Sequence, residues 1–282
     1  MLLELLRRKG HEARAASSGA EALSILPSFT PDMIISDIIM PKMDGFALMQ
    51  RIEKEYPKVK RILMTGYEID GYIEMIRRFN VGNIIPKGSQ FNLDDIGEYV
   101  QSLLTGKIFG LDKYFPIDKI QTRRVLNHNH AQSICGQIAE LYPPARDRFF
   151  FEIALNELVS NAVFHGVLQL TSIPREQWPS EFSLTPDGAV KISWACDNER
   201  IGVSVEDPRG HLRKIDVLQW LDHKIEEQSN ENEHGRGFML IRKFIDRFIV
   251  NIDRGKRTEC VIVQNLDRTW KNQHKPLLVH EI

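Results

Sequence analysis

The chain has 282 residues and a mass of 32.6 kDa, a length that at about 100–200 residues per domain suggests two domains. Hydrophobic residues at 42% and charged residues at 27% give a globular balance that excludes wholesale disorder. Lys and Arg total 37 against 38 for Asp and Glu, a net charge of −1, so nonspecific nucleic-acid binding lacks its usual electrostatic attraction and no nucleic-acid partner is expected.

Residues 1–9 have helical leucine spacing that stops at Gly10, a usual helix terminator. His11 to Ala16 reads as a strand, and Ser18 to Leu26 as a helix with a Ser-Gly start. Met33-Ile34-Ile35-Ser36 is a continuous apolar run, as for a strand covered on both faces. An amphipathic helix follows over 44–55, then a buried strand Arg61–Thr65, a helix near 69–79, a short strand Val81–Pro86 and a helix over 92–104. Strands alternating with helices predict an α/β fold on a parallel sheet.

In such sheets chemistry collects beyond the carboxyl ends of the strands. Asp37, Thr65 and Lys87 stand at those ends. An acid, a hydroxyl and an amine converging there can accept, hydrogen-bond and neutralise a phosphoryl group. Each alone is weak, since an aspartate after a strand is more often a turn or a helix cap. Together with the loop Met40-Pro41-Lys42-Met43-Asp44-Gly45 they form a specific pattern. Here the chain resembles the receiver domain of bacterial response regulators, over roughly residues 1–105, with a flavodoxin-like fold. The resemblance implies that Asp37 is the phosphoacceptor for an upstream histidine kinase, that Thr65 is the switch hydroxyl and that Lys87 contacts the phosphoryl group. Three departures are visible. The first strand and the Mg²⁺-holding acidic pair at its end are missing, Ile84 replaces the usual aromatic, and Gly88 follows Lys87 in place of a proline. Loss of a central strand predicts an unstable gap in the sheet, and a start site further upstream is the expected explanation.

Gly106, Gly110, Pro116 and scattered charges then break the alternation, which marks a linker over 107–124 between a first domain at 1–106 and a second at 125–270, with a tail over 271–282. In the second domain His130 to Leu141 reads as a helix, with His128 and His130 at its solvated start. The next helix, 149–166, is apolar over most of its circumference, yet Glu157, Asn161 and His165 recur every fourth residue on one face. A buried carboxylate and amide are costly unless partnered. Val190–Cys196 and Ile201–Asp207 read as a hairpin ending in Glu206-Asp207-Pro208-Arg209-Gly210. After a polar stretch from Glu226 to His234, Gly235-Arg236-Gly237 opens an apolar helix, and such a turn offers free N–H groups to phosphates. Strands at 247–253 and 258–265 close the domain.

Order and spacing over roughly 125–267 resemble the ATP-binding domain shared by histidine kinases, Hsp90-type ATPases and anti-sigma-factor serine kinases, an α/β two-layer sandwich. Glu157-Leu158-Val159-Ser160-Asn161-Ala162 with His165-Gly166 is similar to the N box of the anti-sigma-factor branch. The resemblance implies ATP and Mg²⁺ as cofactors. It makes Asn161 the Mg²⁺-holding residue and Glu157 the general base. Asp207 becomes the adenine-binding aspartate, Gly235 and Gly237 the glycine box, Thr258 a residue near the adenine, and 211–234 the lid. The segment Asp207-Pro208-Arg209-Gly210-His211 departs from the family's Asp-x-Gly-x-Gly, with Arg209 placed to obstruct the pocket or to pair with a phosphate.

Two functions follow as expectations. One is a response regulator whose output domain is an ATP-dependent serine/threonine kinase acting on an anti-anti-sigma-type protein. The other is a non-catalytic module that sequesters a sigma factor or its antagonist. Intact Glu157 and Asn161 favour the first and the altered aspartate box the second. A homodimer stays open. The longest apolar runs fall far short of the ~20 residues a membrane helix needs, so no membrane partner is expected. Cys135, Cys196 and Cys260 form neither a metal pair nor a disulfide framework, and residues 1–10 lack the order of a signal peptide, so a cytoplasmic location is expected.

Overall fold

A computed structural model describes the chain except residues 88–92, 107–108, 144–145, 172, 223–235, 267–274 and 282. It divides into two compact units, the first holding Met1–Phe109 with the described part of Gln273–Leu278, the second Gly110–Asn272 with Val279–Ile282.

In the first unit, β1 (Met33–Asp37), β2 (Lys60–Thr65) and β3 (Asn83–Pro86) form a parallel sheet in the order β1-β2-β3. The helices are α1 (Leu2–Arg8), α2 (Gly19–Ile25), α3 (Gly45–Glu55), α4 (Ile73–Arg78, entered through a 3₁₀ turn at Ile69–Tyr72) and α5 (Leu93–Thr105). Two of them are started by side chains. Ser18 accepts from the Glu21 N–H, and Asp44 accepts from the Ala47 N–H at 2.7 Å, contacts that satisfy donors left unpaired by the first helical turn. The spacing of Leu48 and Ile52 lets α3 bury both with Leu26 and Val59, and Ala22, Leu23 and Ile34 pack around them. A strand not expected from the sequence, β9 (Leu277–Glu281), pairs its Leu277 and Leu278 antiparallel with Ile84 and Asn83 of β3.

Residues 11–16 form no strand, contrary to the sequence reading. Their side chains are mostly exposed, and the Ala13 carbonyl accepts from the Arg7 guanidinium at 2.9 Å. A strand needs a ladder to join, and residues 11–16 pair with none of the described strands. The expectation that β1 is covered on both faces is also corrected. Met33, Ile34, Ile35 and Asp37 are only half-buried, whereas Leu63, Met64 and Thr65 of β2 are buried. β1, β2 and β3 are contiguous, each paired with its neighbour.

The second unit is an antiparallel sheet in the order β7-β8-β6-β5-β4, from β4 (Gln121–Val125), β5 (Val190–Cys196), β6 (Arg200–Asp207), β7 (Arg247–Asp253) and β8 (Arg257–Asn265). Its helices are α6 (His128–Glu140), α7 (Arg146–Ser160), α8 (Lys214–Trp220) and α9 (Arg236–Phe244). Phe150 of α7 stacks on Phe244 of α9 with centroids 3.7 Å apart, and Phe151 packs on Tyr142 after α6. Gly202 of β6 has Leu111 and Phe115 against it, where a Cβ would lie 2.5 Å from the Phe115 ring.

On this sheet Glu259 is buried, its carboxylate accepting from the Ser204 hydroxyl and the Asn251 amide. Burial pushes its pKa up, and neighbouring Glu206 adds to the rise. A carboxyl whose folded value is raised contributes stability below its ordinary value and loses it as pH rises through the raised one. Glu259→Gln keeps an acceptor for Asn251 and a donor for Ser204 without the charge. It is expected to raise the melting temperature at pH 8 and to change it little at pH 4, measured by thermal unfolding across that range.

Candidate functional site

At the carboxyl ends of the parallel strands, Asp37 closes β1, Thr65 closes β2 and Lys87 follows β3. The Lys87 Nζ lies 2.6 Å from Asp37 Oδ2, with both side chains about half exposed. Thr65 is buried, and its hydroxyl accepts from the Tyr67 N–H at 3.0 Å. The Lys87 N–H donates to the Thr65 carbonyl at 2.6 Å, which ties the two strand ends together. Gly45 N–H donates to Ile38 at 2.8 Å, and a Cβ there would sit 2.2 Å from the Asp37 carbonyl oxygen. Only glycine allows the loop 38–45 to close this tightly under Asp37. Ile84, at the position of the expected switch aromatic, is fully buried in β3. Gly88 lies outside the described residues. Among the described residues no group of three or more His, Cys, Asp or Glu side chains is placed to hold a metal ion.

The second unit gathers its polar residues through two glycines. Gly166 follows the apolar helix, and a Cβ on it would lie 2.7 Å from Asp207 Cγ. Gly237 sits in the first turn of α9, and a Cβ on it would lie 2.3 Å from Glu157 Oε2. The missing side chains are therefore what let α7, the end of β6 and the start of α9 close on one another. Asp207 is buried at the end of β6, in register with Thr258 of β8. Its Oδ1 accepts from the N–H groups of Arg209 and Gly210 at 2.9 and 3.0 Å. Burial raises the Asp207 pKa, and the two backbone N–H groups and the Thr258 hydroxyl oppose the rise. Gly210 has φ +62, and a Cβ there would lie 2.3 Å from the Asp253 carbonyl. The glycine that looked displaced in the sequence is thus the one the turn needs, against the Asp253-to-Arg257 connection.

Residues 1–101 match the family model described as Response regulator receiver domain, and residues 129–264 match Histidine kinase-like ATPase domain. The chain joins a receiver domain to a histidine kinase-like ATPase domain. Among curated proteins, the Sensor kinase CckA of Brucella abortus is 31% identical over 101 residues, 35% of this chain and 10% of that protein. Sporulation initiation phosphotransferase F of Bacillus subtilis is 28% identical over 37% of this chain and 82% of its own length. The DNA-binding transcriptional regulator NtrC of Escherichia coli is 34% identical over 31% of this chain and 18% of its own. The chain thus spans a tenth and less than a fifth of the two longer relatives. Among solved structures, the receiver domain of NtrX from Brucella abortus is 26% identical, with a TM-score of 0.33, over 37% of this chain and 87% of that one.

Within the ATPase domain, α7 gives way at Asn161 to a π-helical segment, Asn161–Val167, a rare form that recurs at functional sites. The His165 ring in that segment lies 5.0 Å from Trp178 and 6.3 Å from Trp220. Glu157 is mostly buried, and its Oε1 meets the Arg175 guanidinium at 2.6 Å. Sequence reasoning missed Arg175, because a lone arginine in a loop carries no signal of its partner. The Arg209 guanidinium lies 3.5 Å from the exposed Asp187 carboxylate. Helix α8 occupies the first part of the expected lid, while Gly235 and residues 223–234 lie outside the described residues.

The donor set can be tested against the nucleotide that such a domain implies. Asp207 keeps Oδ2 free of the backbone turn and offers an acceptor to an amino group. Asn161 adds a neutral oxygen, which suits a hard cation that takes its remaining ligands from phosphates and water. Gly237, having no side chain, brings the first turn of α9 against Glu157. These residues fit Mg²⁺ and ATP.

Proposed function

We propose that this chain is a response regulator whose ATPase domain binds Mg²⁺ and ATP and acts as an anti-sigma-type serine/threonine protein kinase in the cytoplasm. The observation that carries this reading is the approach of Gly237 to Glu157 and of Gly166 to Asp207, which joins the three segments the chemistry requires. Asp207 and Thr258 hold the adenine end, Asn161 holds Mg²⁺, and the glycine box that contains Gly235 and Gly237 is the phosphate-binding segment. When bound, ATP supplies the phosphoryl group. Glu157 takes the proton of the acceptor hydroxyl as that oxygen attacks, and most of the catalysis is positioning and charge stabilisation. The acceptor is an anti-anti-sigma-type protein, and a histidine kinase supplies the phosphoryl group that Asp37 accepts. Among the described residues no helix is long and apolar enough to cross a membrane.

A second reading rests on the Arg175–Glu157 ion pair, which occupies an oxygen of the general base. In that reading the domain binds nucleotide without catalysis and sequesters a sigma factor or its antagonist.

The receiver domain acts by shifting the population of two surface states, with couplings of about 1–3 kcal/mol, or roughly 5–150-fold. In a protein that includes the missing first strand and its acidic pair, treatment with a small-molecule phosphodonor is therefore expected to change ATP turnover by at least about fivefold, and Asp37→Asn is expected to remove the change. Equal turnover in both proteins with and without the donor would contradict the regulatory role of Asp37.

A further inference from the structure

Arg175 is not a loosely held surface arginine. It begins a single 3₁₀ turn, Arg175–Gln177, set by Pro174 and closed by bonds from the Gln177 N–H to the Pro174 carbonyl at 2.9 Å and from the Trp178 N–H to the Arg175 carbonyl at 3.0 Å. The Trp178 indole N–H donates to the Ile173 carbonyl at 3.1 Å. The same indole packs on Phe164 with centroids 4.6 Å apart and meets His165 edge-on. The turn is thus anchored to the segment that directly continues the helix of Glu157. The Arg175 guanidinium passes 5.7 Å from the Trp178 ring and reaches Glu157 Oε1. On the opposite side, Gly237 closes against Oε2. One oxygen of the carboxylate is therefore paired with a cation, and the other lies beside the start of α9. A guanidinium seated on Oε1 occupies a lone-pair direction that an incoming hydroxyl would need at that oxygen.

We propose that Arg175 is a movable lock on Glu157, which a triphosphate releases by drawing the guanidinium to itself. The proposal rests on the nucleotide-binding reading above and adds a residue that nothing in the family pattern assigns. Arg175 is 44% exposed, so its end of the ion pair is screened by solvent. A guanidinium matches phosphate oxygens with paired donors, and the terminal phosphate of ATP carries more charge than one carboxylate. The balance between carboxylate and triphosphate therefore favours the triphosphate. A shorter nucleotide that lacks the terminal phosphate leaves the lock closed. Arg175 is then a positioning residue, which keeps the base inactive until the phosphoryl donor is in place.

The test is calorimetry on the full chain with ATP and with ADP, each with Mg²⁺. Arg175→Ala is expected to weaken ATP binding by roughly tenfold and to leave ADP within about twofold, while Arg175→Lys recovers part of the loss. In a Glu157→Gln background, where no carboxylate competes, Arg175→Ala is expected to cost more ATP affinity than in the wild type. That non-additivity is the signature of a shared arginine. Melting temperatures without nucleotide establish that each variant is folded. Binding of both nucleotides with an unchanged ATP-to-ADP ratio in Arg175→Ala would overturn the lock and leave the nucleotide reading standing. No binding of either nucleotide by the wild type would overturn both.

Discussion

Glu157→Gln is expected to lower phosphoryl transfer from ATP by about 10²–10⁴-fold, the usual contribution of a positioned general base. The substitution keeps the volume and one acceptor oxygen beside Gly237, so the close approach of α9 is preserved. What it removes is the charge that accepts the hydroxyl proton, together with the ion pair to half-exposed Arg175. An ion pair of that exposure contributes about 0–1 kcal/mol to stability, so the folded population changes little and the loss falls on the chemical step. Release of ADP from ATP by wild type and variant, at saturating nucleotide, measures the difference. An unchanged rate would remove Glu157 from the role of base and favour the non-catalytic reading.

Gly45→Ala is expected to have the largest effect on the receiver domain. Its new Cβ would lie 2.2 Å from the Asp37 carbonyl oxygen and 2.8 Å from Leu63 Cδ2. The nearest obstacle is backbone at the end of β1, and the next is a fully buried core side chain, so neither can move aside at low cost. Overpacking of this kind costs roughly 1–3 kcal/mol, occasionally more. The displaced segment also carries the Asp37 carboxylate, so labelling by a phosphodonor is expected to fall with stability. Gly66→Ala is the matched comparison, since a Cβ there meets nothing within 4 Å. Denaturant midpoints of the two variants are expected to differ clearly, with Gly66→Ala close to wild type.

Much of this architecture is legible in the residues because local signals agree with the global fold. Ser18 and Asp44 mark helix starts by the side-chain bonds they then make, and the apolar run Arg61–Thr65 forms the strand it predicts. The convergence of Asp37 and Lys87 follows from strand alternation alone, since parallel strands put their carboxyl ends together. Other features depend on partners that no local pattern encodes. His11 to Ala16 has little apolar content, and without a neighbouring strand it joins no ladder. β4 (Gln121–Val125) is exposed at four of its five residues, so as a sheet edge it gives no burial pattern to read. β9 carried a signal in Leu277-Leu278-Val279, overlooked because it lies within the expected tail. The π-helical turn at Asn161 and the pairing of Arg175 with Glu157 arise from tertiary packing, which periodicity does not reach.

The central claim is that the second domain is built to hold Mg²⁺ and ATP, and titration calorimetry of the full chain tests it most directly. Wild type is expected to give saturable heat with ATP in the presence of Mg²⁺. Asn161→Ala is expected to lose the Mg²⁺-dependent part, and Asp207→Ala to lose binding of the nucleotide altogether. No heat and no thermal shift in the wild type with ATP and Mg²⁺ in the millimolar range, an affinity weaker than about −4 kcal/mol, would contradict the account.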